Sequence, residues 1–151
     1  MKRLWIYGVA VLLALSPLAV VHPVVVEGHS MEPGLKDGQL VAALWPWCAG
    51  SPKRGQVWIV KGPDGSAIKR LIGLPGETVT EQGGDLWIGG ARLNEPYVAQ
   101  VDASDGGPWP CGAGYLFLGD NRPQSEDGRA WGPLPRAAFQ GRVLFQDAAP
   151  R

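Results

Sequence analysis

Histidine is nearly missing from this sequence. It occurs twice in 151 residues, at His22 and His29, and cysteine is equally scarce, at Cys48 and Cys111. A zinc site takes three or four ligands from these residue types. These four follow no ligand spacing, so neither a metal nor a cofactor is expected. Two cysteines permit one disulfide in an oxidising compartment, but their separation in sequence leaves open whether the Cα atoms approach closely enough. Excess charge is missing too, since 14 Lys and Arg balance 14 Asp and Glu. With no basic stripe, nucleic acid is not an expected partner. Heptads, internal repeats and low-complexity tracts are absent, and long helical patterns stop after the first segment.

What remains is rich in turn formers, with 22 glycines and 14 prolines. The length suits one domain with a real core. Short apolar runs between turns predict strands over Gln39–Leu44, Gln56–Lys61, Ser66–Ile72, Thr78–Thr80, Asp85–Ile88, Tyr115–Leu118 and Gly141–Gln146. Gly62-Pro63-Asp64-Gly65 and Gly83-Gly84 read as hairpin turns. The expected fold is mainly β and antiparallel, its strands wrapped into a partly closed barrel or sandwich.

The N-terminus reads differently. Met1-Lys2-Arg3 is basic, and Leu4 to Val21 is 18 residues without a charge. At about 1.5 Å per residue this is just long enough for a hydrocarbon core of about 30 Å. A cleaved signal peptide shares that layout, but Leu18-Ala19-Val20-Val21-His22 lacks the paired small residues of a cleavage site. The expected organisation is therefore a cytoplasmic stub over residues 1–3, one transmembrane helix as anchor over 4–22, and an extracytoplasmic domain over 23–151.

Just past that segment, Gly28 and Pro33-Gly34 bend the chain around Ser30. A serine hydroxyl needs a base to become a nucleophile. His29 is its immediate neighbour and points to the opposite face of an extended backbone; His22 lies beside the membrane segment. Gly28-His29-Ser30-Met31-Glu32 also lacks the second glycine of a nucleophile elbow. A lysine can serve if burial lowers its pKa. Of the lysines, Lys69 sits in the mostly apolar strand Ala67-Ile68-Lys69-Arg70-Leu71-Ile72. An edge lysine facing water is the alternative there. Gly119-Asp120-Asn121-Arg122-Pro123-Gln124-Ser125-Glu126-Asp127-Gly128-Arg129 is too polar for a strand and too rich in turn formers for a helix. It reads either as a solvated loop or as a hydrogen-bonded support, with Asp127 and Arg129 paired and Ser125 orienting an amine.

Together these segments resemble the type I signal peptidases, the membrane-bound Ser-Lys endopeptidases of bacteria. The resemblance rests on Gly28 to Leu35, on Lys69-Arg70-Leu71-Ile72-Gly73-Leu74-Pro75-Gly76-Glu77, and on Gly119-Asp120-Asn121-Arg122 with Ser125, Asp127 and Arg129. Leu93-Asn94-Glu95-Pro96-Tyr97 belongs to the same pattern. It implies Ser30 as nucleophile, Lys69 as neutral general base, Ser125 as hydrogen-bond partner of the amine, and Gly119, Asp120, Asn121, Asp127 and Arg129 as support. It implies substrate contacts from Met31, Ala67 and Ile68. The implied substrates are signal-peptide-bearing precursors, cut after small residues at the surface of the lipid bilayer of the plasma membrane. Lysine at position 69 indicates the bacterial branch, because the endoplasmic-reticulum branch has histidine there. Conjugation-pilus maturation proteases and a catalytically silent membrane-anchored β module are the alternatives. Two departures stand out. Gly28 occupies the place where some members carry an oxyanion-binding serine, leaving the backbone N–H of Ser30 as the expected donor. Gly128 replaces a common serine, a change expected to be tolerated. A large extra β domain of some relatives is not expected here.

Overall fold

A computed structural model of the chain describes residues 20–101 and 103–144. The expected anchor over 4–22 lies outside them except for its last three residues. There the expectation needs correcting, because Val21 and His22 already form part of a strand. No helix among the described residues is long and apolar enough to cross a membrane.

Ten strands follow in order: β1 (Val21–Val25), β2 (Leu40–Leu44), β3 (Val57–Gly62), β4 (Gly65–Gly73), β5 (Thr78–Gln82), β6 (Asp85–Ile88), β7 (Ala91–Arg92), β8 (Gly106–Pro110), β9 (Leu116–Leu118) and β10 (Phe139–Val143). They make two antiparallel sheets, one in the order β1-β2-β10-β3-β4-β9 and one in the order β7-β6-β5-β8. The fold is mainly antiparallel β, as expected, but neither sheet closes into a barrel, so of the expected partly closed barrel or sandwich the barrel is not formed. Closure would require β1 to pair with β9, and both instead end the larger sheet.

Three strands are absent from the expectation, β1, β7 and β8, and two of them, β1 and β8, explain themselves. Their sequences, VHPVV and GGPWP, contain proline. Proline lacks the N–H a central strand must donate, so it is confined to edges. Both strands are edges of their sheets. The polar stretch after β9 likewise contains a short helix, α1 (Gly128–Trp131), because Asp127 accepts the Arg129 backbone N–H and caps it.

The centre of the larger sheet is buried on both faces. Along β3, Val57 and Ile59 join Val26, Met31, Leu35, Val41, Ala43 and Val143 in one cluster. Trp58 and Val60 point the other way, into a cluster with Leu71, Phe117 and Phe139. This is the two-residue alternation of a strand. Ile72, Val79, Leu86, Leu116 and Leu118 form a third cluster, which joins the two sheets. Cys111 belongs to that third cluster, while Cys48 lies in the loop after β2; both thiols are free, so the possible disulfide is not formed.

Strand β4 runs nine residues, and its middle carries two consecutive cations, Lys69 and Arg70, 4% and 1% exposed. The Arg70 guanidinium makes a two-pronged pair with Asp120, Nε to Oδ1 at 2.8 Å and Nη2 to Oδ2 at 2.6 Å. Its Nη1 donates to the Gly55 carbonyl at 2.6 Å. Tyr97 lies flat over the same guanidinium, 3.9 Å from its carbon. Removing one partner of such a pair strands a charge in the interior, at a cost of about 3–5 kcal/mol. Asp120→Ala should therefore lower the unfolding free energy by about that much, read from urea denaturation. A loss below about 1 kcal/mol would mean that the pair does not hold β4 to the loop after β9.

Candidate active site

The loop after β1 is built to present one residue. Gly28 adopts φ +84°, a backbone conformation that suits glycine, and donates its N–H to Asp37 Oδ1 at 2.8 Å. Met31 and Leu35, both buried, plug the loop into the first core cluster. The Leu35 N–H reaches the Met31 carbonyl at 2.9 Å, closing a helical turn between the plugs. Ser30 sits directly before this turn, half-buried at the surface. His29 faces away from it, exposed, with Nδ1 2.9 Å from Glu32 Oε1. The other histidine, His22, stacks on Trp45 at 4.0 Å.

Lys69 is not an edge lysine facing water. Its amine lies 3.1 Å from Ser125 Oγ and 5.9 Å from the centre of the Trp131 ring. Burial pushes its pKa below the ordinary lysine value, and the nearby Asp127 carboxylate only partly opposes this. The strand fixes where the flexible lysine stem begins, and burial favours the free amine.

Gly119 joins these two segments. A Cβ placed there would come 2.2 Å from Ser125 Oγ and 2.6 Å from the Ser30 carbonyl oxygen. Only a hydrogen fits between the serine loop and the lysine's partner. Next to it, Asn121 donates its backbone N–H to the Ser30 carbonyl and its side-chain amide to the His29 carbonyl, both at 3.0 Å. Ser30, Lys69, Ser125, Gly119 and Asn121 thus form one constellation.

Behind it stands the support. Burial alone would raise the Asp127 pKa, but hydrogen bonds from Arg129 and the Gly119 N–H hold it below the usual carboxylate value. Those contacts are Arg129 Nε to Oδ1 at 3.0 Å and Gly119 N to Oδ2 at 3.0 Å. Arg129 also donates to the Arg122 carbonyl at 2.7 Å. Arg122 Nε donates to the Gly119 carbonyl at 3.0 Å, and its Nη2 pairs with Glu95. Glu95 accepts the Tyr97 hydroxyl at 3.0 Å, and Tyr97 leads back to Arg70. Asp120 is turned from the amine of Lys69 into its pair with Arg70.

The other expected residues separate. Ala67 and Ile68 line a cleft of about 160 Å³ together with Val24, Val25, Glu27, Ile59 and Ser66. Met31 is instead a core residue, 1% exposed. Gly128 has a local reason: a Cβ there would lie 2.7 Å from the Phe117 carbonyl oxygen. Sequence reasoning did not find Trp131, and it gave no role to Arg70, Arg122, Glu95 and Tyr97, although these four lie within the motifs that carry the resemblance. The one available signal was an arginine inside an apolar strand, which requires a buried anion.

The chain matches the family model described as "Signal peptidase, peptidase S26" over residues 2–146. It is similar to "Signal peptidase I" of Bacillus licheniformis, 38% identical over 136 residues, covering 80% of this chain and 73% of that one. "Signal peptidase IB" of Staphylococcus aureus is 30% identical over 166 residues, covering 94% and 87%. "Probable signal peptidase I-2" of Synechocystis sp. is 33% identical over 131 residues; the match takes in 80% of this chain but only 60% of the relative's length. The crystal structure of a signal peptidase I from Enterococcus faecalis aligns with a TM-score of 0.53 and 32% identity, covering 62% of this chain and 97% of that one.

The site makes a prediction independent of any substrate. With lysine Cε labelled for NMR, Lys69 should lose its proton at a pH below the ordinary lysine value, because burial disfavours the ammonium. Asp127→Asn should move that titration lower still, since the carboxylate favours the charge. An ordinary lysine titration at position 69 would contradict the buried amine.

Proposed function

Because this chain belongs to the signal peptidase family, peptidase S26, we propose that it is a serine endopeptidase that removes signal peptides from secreted precursors by Ser30–Lys69 acyl transfer. The observation that carries this reading is the buried Lys69 amine, hydrogen-bonded to Ser125 and sharing Gly119 as a wall with Ser30. No histidine takes that place: His29 turns to Glu32 and His22 to Trp45.

Substrate reaches the site along β4. Strand β9 pairs with Arg70, Leu71 and Gly73 only, leaving Ser66 to Lys69 without a strand on that side. An extended peptide can add there by main-chain hydrogen bonds. The cleft beside it, lined by Val24, Val25, Ala67 and Ile68, is apolar and small. It suits the short side chains at the first and third positions before the cut.

In the first step the neutral Lys69 amine takes the Ser30 hydroxyl proton as Oγ attacks the substrate carbonyl carbon. The carbonyl oxygen becomes an oxyanion, with the Ser30 N–H as a donor; the Gly28 N–H is committed to Asp37. Collapse breaks the C–N bond, and the Lys69 ammonium returns the proton to the leaving amine. The same amine then deprotonates a water that attacks the ester, freeing the signal peptide and Ser30. Ser125 aims the amine, and the ring of contacts from Asp127 to Tyr97 keeps Ser125 in place.

The uncharged stretch that precedes β1, from Leu4 to Ala19, serves as anchor, with Lys2 and Arg3 keeping the N-terminus cytoplasmic and the β domain on the outer face. At the point where the described chain begins, the Trp45 N–H donates to the Val20 carbonyl at 3.2 Å. Trp47 beside it is 72% exposed. Exposed tryptophans next to an anchor suit the headgroup zone of a bilayer. The conjugation-pilus protease and the silent module are not favoured, as the matched relatives carry signal peptidase names.

Ser30→Ala and Lys69→Ala should each reduce cleavage of a secretory precursor by at least about 1,000-fold, with mass spectrometry of the new N-terminus as readout. Near-normal cleavage by the Lys69→Ala enzyme would falsify the dyad. The acid limb of kcat/KM should follow Lys69: activity is lost as pH falls through its lowered pKa, because the protonated amine cannot accept the serine proton. Ser125→Ala removes one hydrogen bond worth about 1–1.5 kcal/mol, so kcat should fall about 10-fold while the fold persists.

A further inference from the structure

Two depressions flank the candidate dyad. The first is the apolar cleft already described. The second, of about 270 Å³, is lined by Glu32, Pro33, Ala99, Gln100, Asn121 and Gln124. Both rails of the site run from one to the other. Along the first rail, Val24, Val25 and Glu27 border the cleft, Ser30 follows, and Glu32 and Pro33 border the second depression. Along the other rail come Ser66, Ala67 and Ile68 of the cleft, then Lys69, then its partner Ser125, and then Gln124 and Asn121 of the second depression. Asn121 fastens this wall to the nucleophile loop through the Ser30 and His29 carbonyls. Its amide also donates to Gln124 Oε1 at 3.2 Å, which fixes the two side chains against each other.

A peptide bond held at Ser30 has an acyl side and an amine side, and an extended chain must leave in opposite directions from them. With the acyl side in the apolar cleft, the amine side runs toward Glu32 and Gln124. We propose that the second depression binds the first residues after the cut, accepting polar or basic side chains there and rejecting acidic ones. This rests on the peptidase reading above. The chemistry of the lining carries the selectivity: three carboxamides, one carboxylate and neither lysine nor arginine. Carboxamides offer donors and acceptors to any polar side chain. Glu32 repels a carboxylate and attracts an ammonium, and its contact with exposed His29 at 2.9 Å holds it at the rim. Solvent reaches Glu32, so the effect has the size of a surface ion pair, up to about 5-fold.

The test uses the purified full chain in detergent and matched peptides with Lys, Ala or Glu at each of the first three positions after the cut. In at least one position, kcat/KM should rank Lys above Ala above Glu, with a Lys-to-Glu ratio of about 3 to 5. Glu32→Gln should bring that ratio to about 1, Glu32→Lys should invert it, and Gln124→Glu should raise it. A ratio within one enzyme preparation does not depend on the fraction correctly folded. A ratio of about 1 at all three positions, or one that Glu32→Lys leaves unchanged, overturns the inference while the peptidase reading stands. Failure of the unaltered chain to cut any of the peptides overturns the peptidase reading and this inference with it.

Discussion

The buried pair between Arg70 and Asp120 is the constraint on which the site depends. Arg70 belongs to β4, next to Lys69, and Asp120 lies in the loop after β9, next to Gly119 and Asn121. Joining the two by a pair of hydrogen bonds in a fixed fork sets the height of that loop against the strand. Everything the loop contributes then arrives in register with Lys69: the Gly119 gap, the Asn121 bonds to the serine loop, and Ser125 at the amine. Two charges removed from water are costly unless each is fully satisfied. Here the guanidinium also has the Gly55 carbonyl and the Tyr97 ring.

The contacts beyond that pair form a closed circuit: Arg70, Asp120, Gly119, Asp127, Arg129, Arg122, Glu95, Tyr97 and again Arg70. Its members come from β4, the segment after β7, the loop before α1 and α1 itself. A ring of this kind resists displacement of any one side chain, because each charged group is fixed by two neighbours. Inside it, the Lys69 amine meets the Ser125 hydroxyl and the Trp131 ring rather than a full counter-ion. The protein has thereby separated two tasks. Full ion pairing holds the scaffold, and incomplete pairing leaves one amine ready to lose its proton. An amine in a tight ion pair would keep its proton and could not act as a base.

Much of the site was legible before any coordinates. Ser30, Lys69, Ser125, Asp127 and Arg129 entered as candidates because a serine nucleophile needs a base and histidine is scarce, and the resemblance to the signal peptidases then implied their roles. Most strands were legible from apolar runs between glycine and proline turns. The failures share a cause. Strands β1 and β8 were hidden by their prolines, which are tolerated only because both strands lie at sheet edges, and edge position is a property of the sheet. The resemblance implied Met31 as a substrate contact, yet it is a core plug that fixes the serine loop. Arg122, Glu95 and Tyr97 stood in the motifs without a role, because the contacts that tie them to the site, Arg122 to Glu95 and Tyr97 to Arg70, join distant parts of the chain.

What the sequence determined by itself is the chemical inventory and the local turns. Gly28, Pro33 and Gly34 favour bends in the chain, and the short apolar, β-branched run Val57–Val60 between turns favours a strand. Tertiary structure alone decided which groups lost their water. Lys69 and Arg70 are adjacent cations on one strand, and nothing local distinguishes them. Their fates differ because the folded chain brings a carboxylate pair to one and a serine hydroxyl with an indole ring to the other. Desolvation and charge pairing act through space, so the fold decides which of the two cations is disposed to lose its proton.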